Sequence, residues 1–75
     1  MRPVDEKILD YLNRTRRAKV GGLWMKPNTL ARNISTTRSY VSTRLQVLVE
    51  NGAVERDDQG FYRITDSGTD ILSRI

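Results

Sequence analysis

Apolar residues recur along the N-terminal part of the chain at intervals that fit one face of a helix. Four residues mark this face: Val4, Ile8, Leu9 and Leu12. Their spacing predicts an amphipathic helix over residues about 4–14. Pro3 lies directly before it, where the first turn tolerates a proline. Residues 15–20 are polar and basic, and Gly21-Gly22 then predicts a break in the chain.

Two further helices are predicted in the middle of the chain. Leu23-Trp24-Met25 lies between a glycine pair and Pro27, so it is too short for a helix and we expect a short strand. Pro27 can begin a second helix, whose apolar positions are Leu30, Ala31 and Ile34. Thr37 suits the N-cap of a third helix, which ends at Asn51-Gly52. The apolar stripe of this third helix comprises Val41, Leu45, Leu48 and Val49.

A β-hairpin is predicted after the third helix. Two strand-like segments, 53–56 and 61–64, flank a polar loop that ends in Gly60. A three-residue loop places the apolar pair Val54/Ile64 on one face and the charged pair Glu55/Arg63 on the other, as the pleat requires. Thr65 or Asp66 can then cap a short last helix, whose apolar positions are Ile71, Leu72 and Ile75. The resulting order of helices and short strands predicts a small α+β fold.

Length and composition exclude several classes of protein. The chain has 75 residues, which fits one domain over residues 1–75. It has neither cysteine nor histidine, so disulfides, thiolate metal sites and histidine general bases are excluded. No apolar run reaches the roughly 18 residues of a membrane span, and acids occupy the N-terminal region where a signal peptide would be apolar. We therefore expect a soluble, cytoplasmic protein without enzymatic activity, cofactor, membrane contact or small-molecule ligand.

The charges are distributed unevenly along the chain. Residues 11–49 contain eight lysines and arginines and no acid. From Glu50 onward, six acids stand against three arginines. A basic zone without acids suits a polyanion, because each neutralised phosphate releases counterions. Double-stranded DNA is the expected partner; an arginine-rich solvated surface is the alternative.

Five pieces of sequence, in this order, resemble the winged helix-turn-helix superfamily. They are Leu30–Ile34, the turn Ser35-Thr36-Thr37, Arg38–Leu45, Gly52-Ala53-Val54 and Phe61–Gly68. The last piece is similar to the wing-to-helix junction of small archaeal viral repressors of the phage phi-H repressor type. The resemblance covers nearly the whole chain. It implies a three-helix core, a two- or three-stranded wing sheet, a short C-terminal helix and a transcription regulator that is usually a dimer.

The sequence departs from the superfamily pattern at two places. Superfamily turns usually carry glycine or aspartate at the position of Ser35 and an apolar residue at that of Thr36. Many wings have a basic tip for the minor groove, whereas this tip is Asp57-Asp58. The second departure argues against insertion of the wing into the minor groove.

Candidate DNA-binding residues follow from the predicted third helix. The face opposite its apolar stripe carries hydroxyl and amide groups that can hydrogen-bond base edges. Arg38 starts the helix, where helix-turn-helix proteins present side chains to the major groove. Arg44 borders the stripe, so it either contacts phosphate or packs its stem over the core. With phosphate candidates from the second helix and the wing, the predicted set is Arg32, Thr37, Arg38, Ser39, Tyr40, Ser42, Thr43, Arg44, Gln46, Arg56 and Gln59.

The leading hypothesis is a sequence-specific DNA-binding repressor that acts as a homodimer with helix 37–51 in the major groove. Pairing two small domains adds a second half-site and supplies affinity. The terminal helices are the expected dimer surface, through Tyr11, Ile71, Leu72 and Ile75. Trp24 is expected in the core or at this interface. The alternative function is a winged-helix protein–protein adaptor or antirepressor, which the fold would serve equally well.

Overall fold

The computed structural model describes residues 2–18 and 24–74. In chain order the elements are α1 (Pro3–Ala18), α2 (Pro27–Asn33), α3 (Arg38–Glu50), β1 (Val54–Arg56), β2 (Tyr62–Ile64) and α4 (Asp66–Ser73). This order confirms the predicted small α+β fold. Within these residues no helix has the length and apolar character that crossing a membrane requires. The predicted Gly21-Gly22 break, the Leu23 end of the short strand and Ile75 lie outside the described residues.

The hairpin has the predicted register. β1 and β2 are antiparallel, with Val54 opposite Ile64 and Glu55 opposite Arg63. Gly60 takes a positive φ of 82° in the connecting loop, which glycine allows without strain. The predicted short strand is reduced to one antiparallel bridge, in which Met25 and Tyr62 exchange two backbone hydrogen bonds of 2.8 Å. This bridge joins the chain before α2 to the outer edge of the hairpin.

The core lies where α1, α2, α3 and the hairpin meet. Its buried members come from the predicted apolar faces of the first three helices and the hairpin, and include Ile8, Leu9, Leu12, Leu30, Ala31, Val41, Leu45, Leu48, Val54 and Ile64. Three residues predicted for a dimer surface, Tyr11, Ile71 and Leu72, are partly buried against this core. They therefore already pack within one copy of the chain.

Helix α1 is longer than the predicted span of residues 4–14. Its extra turn contains Thr15, whose hydroxyl donates to the Leu12 carbonyl at 3.0 Å. The Arg16 guanidinium donates to Asp66 at 2.7 Å and lies 3.5 Å from the Thr69 hydroxyl, both on α4. The polar and basic residues after 14 were predicted to lie outside the helix. Instead, these contacts with α4 accompany an extra helical turn. Basic groups in a last turn also suit the helix dipole.

The turn between α2 and α3 contains the one non-glycine residue of the described chain with a positive φ. Ser35 has φ 58°, a left-handed conformation that glycine adopts more readily. The Thr36 N–H donates to the Ala31 carbonyl at 3.0 Å, so it closes the end of α2. Thr37 then caps α3 as predicted. The turn thereby sets the direction in which α3 leaves α2.

Gly68 allows α4 to approach the connection between α3 and β1 closely. A Cβ at this position would lie 2.1 Å from the Ala53 carbonyl oxygen and 2.7 Å from Ile64 Cγ1. The same Ala53 oxygen accepts the Thr65 N–H at 3.0 Å, so it is fixed by the backbone. The Thr65 hydroxyl accepts the Gly68 N–H and donates to the Gly52 carbonyl at 2.6 Å. Gly68 is thus a packing requirement of the junction that holds the hairpin against α4.

Gly68→Ala should destabilise the protein by about 2 kcal/mol, because overpacking against fixed backbone costs about 1–3 kcal/mol or more. The better helix propensity of alanine, at most about 1 kcal/mol, offsets only part of this loss. Urea denaturation measures the free energy of unfolding. The control is Ser67→Ala at the exposed neighbouring position, which should change stability by less than about 0.5 kcal/mol. Equal stabilities of Gly68→Ala and wild type would contradict the close approach.

Candidate nucleic-acid interface

Helix α3 begins with a cap and without an acid. The Thr37 hydroxyl accepts the Tyr40 N–H at 3.2 Å, which satisfies one of the free donors of the first turn. No acidic residue lies in that turn, and the exposed Arg38 is its first residue. The remaining N–H groups and the helix dipole therefore favour an anion near this end.

The outward face of α3 has the predicted polar composition. Ser39, Thr43 and Gln46 are exposed, while Val41, Leu45 and Leu48 on the other side are buried. The Thr43 hydroxyl donates to the Ser39 carbonyl at 3.0 Å, which leaves its oxygen able to accept. Hydroxyl and amide groups on one exposed helix face can donate to and accept from base edges.

The hairpin borders one flank of this face. Ser42, Gln46 and Val49 of α3 and Arg56 and Tyr62 of the hairpin line an open groove of about 390 Å³. Ser42 is half-buried there, while Arg56 is exposed. The groove brings three residues of the predicted set together: Ser42, Gln46 and Arg56. Tyr62 belongs to the same groove and was not predicted, because its position opposite Arg56 follows from the register but its approach to α3 does not.

One of the two acids at the tip of the hairpin has a structural role. Asp57 Oδ1 accepts the N–H of Gln59 at 2.9 Å and that of Phe61 at 2.8 Å. Its carboxylate therefore closes the turn, as aspartate commonly does. Asp58 and the predicted contact residue Gln59 are exposed beside it.

Arg44 has a partner that the sequence did not suggest. Its Nε and Nη2 atoms donate to the two carboxylate oxygens of Asp5 at 2.8 and 2.7 Å. The Asp5 side chain is 2% exposed and that of Arg44 15%. Of the two predicted roles, the structure supports neither a free phosphate contact nor simple packing of the stem. The guanidinium joins α3 to α1 instead.

Asp5 also stabilises the start of α1. Its Oδ2 accepts the Arg2 N–H at 3.0 Å, which is the returning half of a capping box. The Arg44 guanidinium, through its hydrogen bonds, holds the pKa of the Asp5 carboxyl below its usual value, although burial acts in the opposite direction. The sequence analysis assigned no role to Asp5. Only its position among apolar helix residues hinted at burial.

The other arginines fall into two groups. Arg14, Arg16, Arg63 and Arg74 form ion pairs with Asp10, Asp66, Glu55 and Asp70. The Arg63 guanidinium also stacks over the Trp24 ring, 4.4 Å from its centroid, so Trp24 packs on the hairpin. In contrast, five arginines are exposed and form no ion pair within residues 2–18 and 24–74: Arg2, Arg17, Arg32, Arg38 and Arg56. Of these, Arg32, Arg38 and Arg56 lie on α2, α3 and the hairpin.

Removing either partner of the Asp5–Arg44 pair should lower the free energy of unfolding. Asp5→Asn leaves a largely buried guanidinium without its anion, and Arg44→Met leaves a buried carboxylate, so each should cost about 3 kcal/mol or more. The double variant Asp5→Asn/Arg44→Met should lie closer to wild type than either single variant. Urea denaturation of all four proteins gives the coupling free energy. Single effects that simply add in the double variant would contradict the pairing.

The pH dependence gives an independent measure of the same pair. Because the pKa of Asp5 is lower in the folded than in the unfolded protein, its contribution is complete above pH about 4 and is lost as the pH falls through the folded value. Wild type should therefore lose stability in acid more steeply than Asp5→Asn. Parallel acid limbs for the two proteins would argue against this assignment.

Comparisons with known proteins agree with the geometry. The family described as "Winged helix-turn-helix phage repressor" matches residues 1–74 of the chain. The chain is 34% identical over 71 residues to the "Repressor protein" of Halobacterium phage phiH, and the match covers 91% of this chain and 74% of that protein. No solved structure matches the chain. With its three-helix core, hairpin wing and C-terminal helix, the chain belongs to the winged helix-turn-helix phage repressor family.

Proposed function

We propose that this protein is a sequence-specific repressor that binds double-stranded DNA as a homodimer, with α3 in the major groove. The observation that carries the proposal is the exposed, polar outward face of α3, together with the exposed arginines on α2, α3 and the hairpin that have no ion-pair partner in the described residues. Membership of the phage repressor family and the name of the phiH relative support repression.

The side chains of α3 have two proposed roles, contact with base edges and positioning of the helix. Arg38, Ser39, Thr43 and Gln46 read base edges, because they are exposed at the start of the helix or on its outward face. Tyr40 and Ser42 flank them. Thr37 fixes the first turn through its cap, and Arg44 is a positioning residue that acts through Asp5.

Phosphate contacts come from the elements beside α3. Arg32 on α2 and Arg56 on the hairpin are exposed cations on its two neighbours. Gln59 can donate its side-chain amide to a phosphate from the hairpin tip. Such contacts fix the register of the protein on the duplex without reading sequence.

A homodimer would supply the affinity that one such domain lacks. One recognition helix reads only a few base pairs, whereas a two-fold dimer reads two half-sites about one helical turn apart. The α1–α4 side, with Tyr11 and Leu72 partly buried, is the surface we propose for pairing. It lies away from the hairpin groove, which α4 does not line.

Arg38→Ala should weaken binding to the preferred duplex by about 1–3 kcal/mol and weaken binding to a scrambled duplex much less. Selection from a random duplex pool defines the preferred sequence, and fluorescence anisotropy at two salt concentrations measures both affinities. Arg74→Ala is the matched control, since it removes the same charge from α4. An unchanged ratio of the two affinities in Arg38→Ala would remove Arg38 from base reading.

The same titration decides between the two candidate functions. Equal, steeply salt-dependent binding of wild type to both duplexes would indicate sequence-independent DNA binding. No binding at low salt would overturn the DNA proposal and favour the protein–protein adaptor.

The mass of the free protein in solution tests the homodimer directly. Sedimentation of the free protein should show a species of twice the 8.6 kDa chain mass in the micromolar range. The selected duplex should contain two inverted half-sites 10–11 base pairs apart, centre to centre, about one turn of DNA. A monomer throughout this range, together with a single half-site, would contradict pairing.

A further inference from the structure

A notch of about 310 Å³ lies on the flank of α3 that faces away from the hairpin. Its polar lining comes from three elements: Lys7 of α1, Ser35 and Thr36 of the turn, and Tyr40 of α3. Val4 and Ile34, which pack against the core, form apolar parts of its wall. The notch therefore combines one cation and three hydroxyl groups at a fixed junction between helices.

Two side chains of this lining, Lys7 and Tyr40, are exposed to solvent. Lys7 is exposed, and it forms no ion pair with any carboxylate in residues 2–18 and 24–74. It also borders a groove that contains Glu6 and Asp10, but Asp10 is paired with Arg14 at 2.9 Å. Tyr40 is 39% exposed and is the one large apolar side chain of the described residues that reaches this exposure.

The notch and the hairpin groove lie on opposite sides of the outward face of α3. At about 100° per residue, Tyr40 and Ser42 project about 160° apart around the helix axis, and Ser39 and Thr43 lie between them. Ser42 lines the hairpin groove and Tyr40 lines the notch. The face that carries the proposed base readers is therefore bordered by one groove on each side.

We propose that the notch binds one phosphate of the DNA backbone, with Lys7 as the charged contact and the Tyr40, Ser35 and Thr36 hydroxyls as further donors. This inference rests on the proposed function. The major groove is about 12 Å wide, which a helix nearly fills, and a phosphate backbone runs along each edge. A helix lying in it meets phosphates on both flanks. The hairpin groove faces one backbone and the notch faces the other.

With this contact, α1 binds DNA in addition to α2, α3 and the hairpin. Lysine serves as a point charge for phosphate, and hydroxyl groups complete its coordination. The contact carries no sequence information, so it should act equally on every duplex. It should also contribute about 0.9 to the slope of log affinity against log salt, because one phosphate is neutralised.

The experiment compares Lys7→Gln, Lys7→Arg and Arg14→Gln with wild type in anisotropy titrations against the selected and scrambled duplexes at 50 and 200 mM salt. Lys7→Gln should weaken binding to both duplexes by the same factor. Between the two salt concentrations this factor should shrink about three- to fourfold, as a slope change of about 0.9 requires. Lys7→Arg should restore most of the affinity. Arg14 is the control because it lies on the same face of α1, seven residues further from the notch.

Each outcome decides the inference separately from the proposed function. If wild type binds no duplex, the proposed function fails. If wild type binds and Lys7→Gln matches wild type in slope, the notch is not a phosphate site. Equal effects of Lys7→Gln and Arg14→Gln would also overturn it, since they would report overall charge. In ethylation interference on the selected duplex, Lys7→Gln should lose one phosphate at which ethylation blocks binding, and Arg14→Gln should lose none.

Discussion

The orientation of α3 depends on the ion pair between Asp5 and Arg44. This pair joins the first turn of α1 to the middle of α3, with two hydrogen bonds of 2.8 and 2.7 Å across a nearly closed interior. A bidentate arginine–carboxylate contact fixes both distance and angle. Since Asp5 also closes the start of α1, one carboxylate connects the first turn of that helix to the middle of α3. The segment that follows α3 is held by the close packing of Ala53 against Gly68.

The parts of the fold that the sequence predicted are those set by neighbours along the chain. The hairpin register follows from one apolar pair, Val54 and Ile64, since any shift by one residue would expose it. Thr37 was recognisable as a cap because a cap acts within three residues. The contacts that were missed join distant positions. Arg44 and Asp5 are 39 residues apart and Arg16 and Asp66 are 50 apart, and nothing in either segment alone marks them as partners.

The same reason limits what the charge distribution could predict. Residues 11–49 contain no acid in the sequence, yet folding brings acids from both sides to this zone. Asp5 forms an ion pair with Arg44, and Asp66 forms one with Arg16. Among the cations without an ion-pair partner in the described residues, Arg32, Arg38 and Arg56 lie on α2, α3 and the hairpin. The candidate interface is therefore defined by which charges remain after folding.

The hairpin tip shows how local chemistry can oppose the usual use of a fold. Asp57 is required by the turn, because its carboxylate accepts two backbone N–H groups. Asp58 adds an exposed negative charge at the same tip, which opposes insertion of the tip into the minor groove. In the proposed complex the wing then contributes phosphate contacts through Arg56, the last residue of β1, and through the Gln59 amide. Affinity must come from the flanks of α3 and from a second copy, because each wing contributes only a few phosphate contacts.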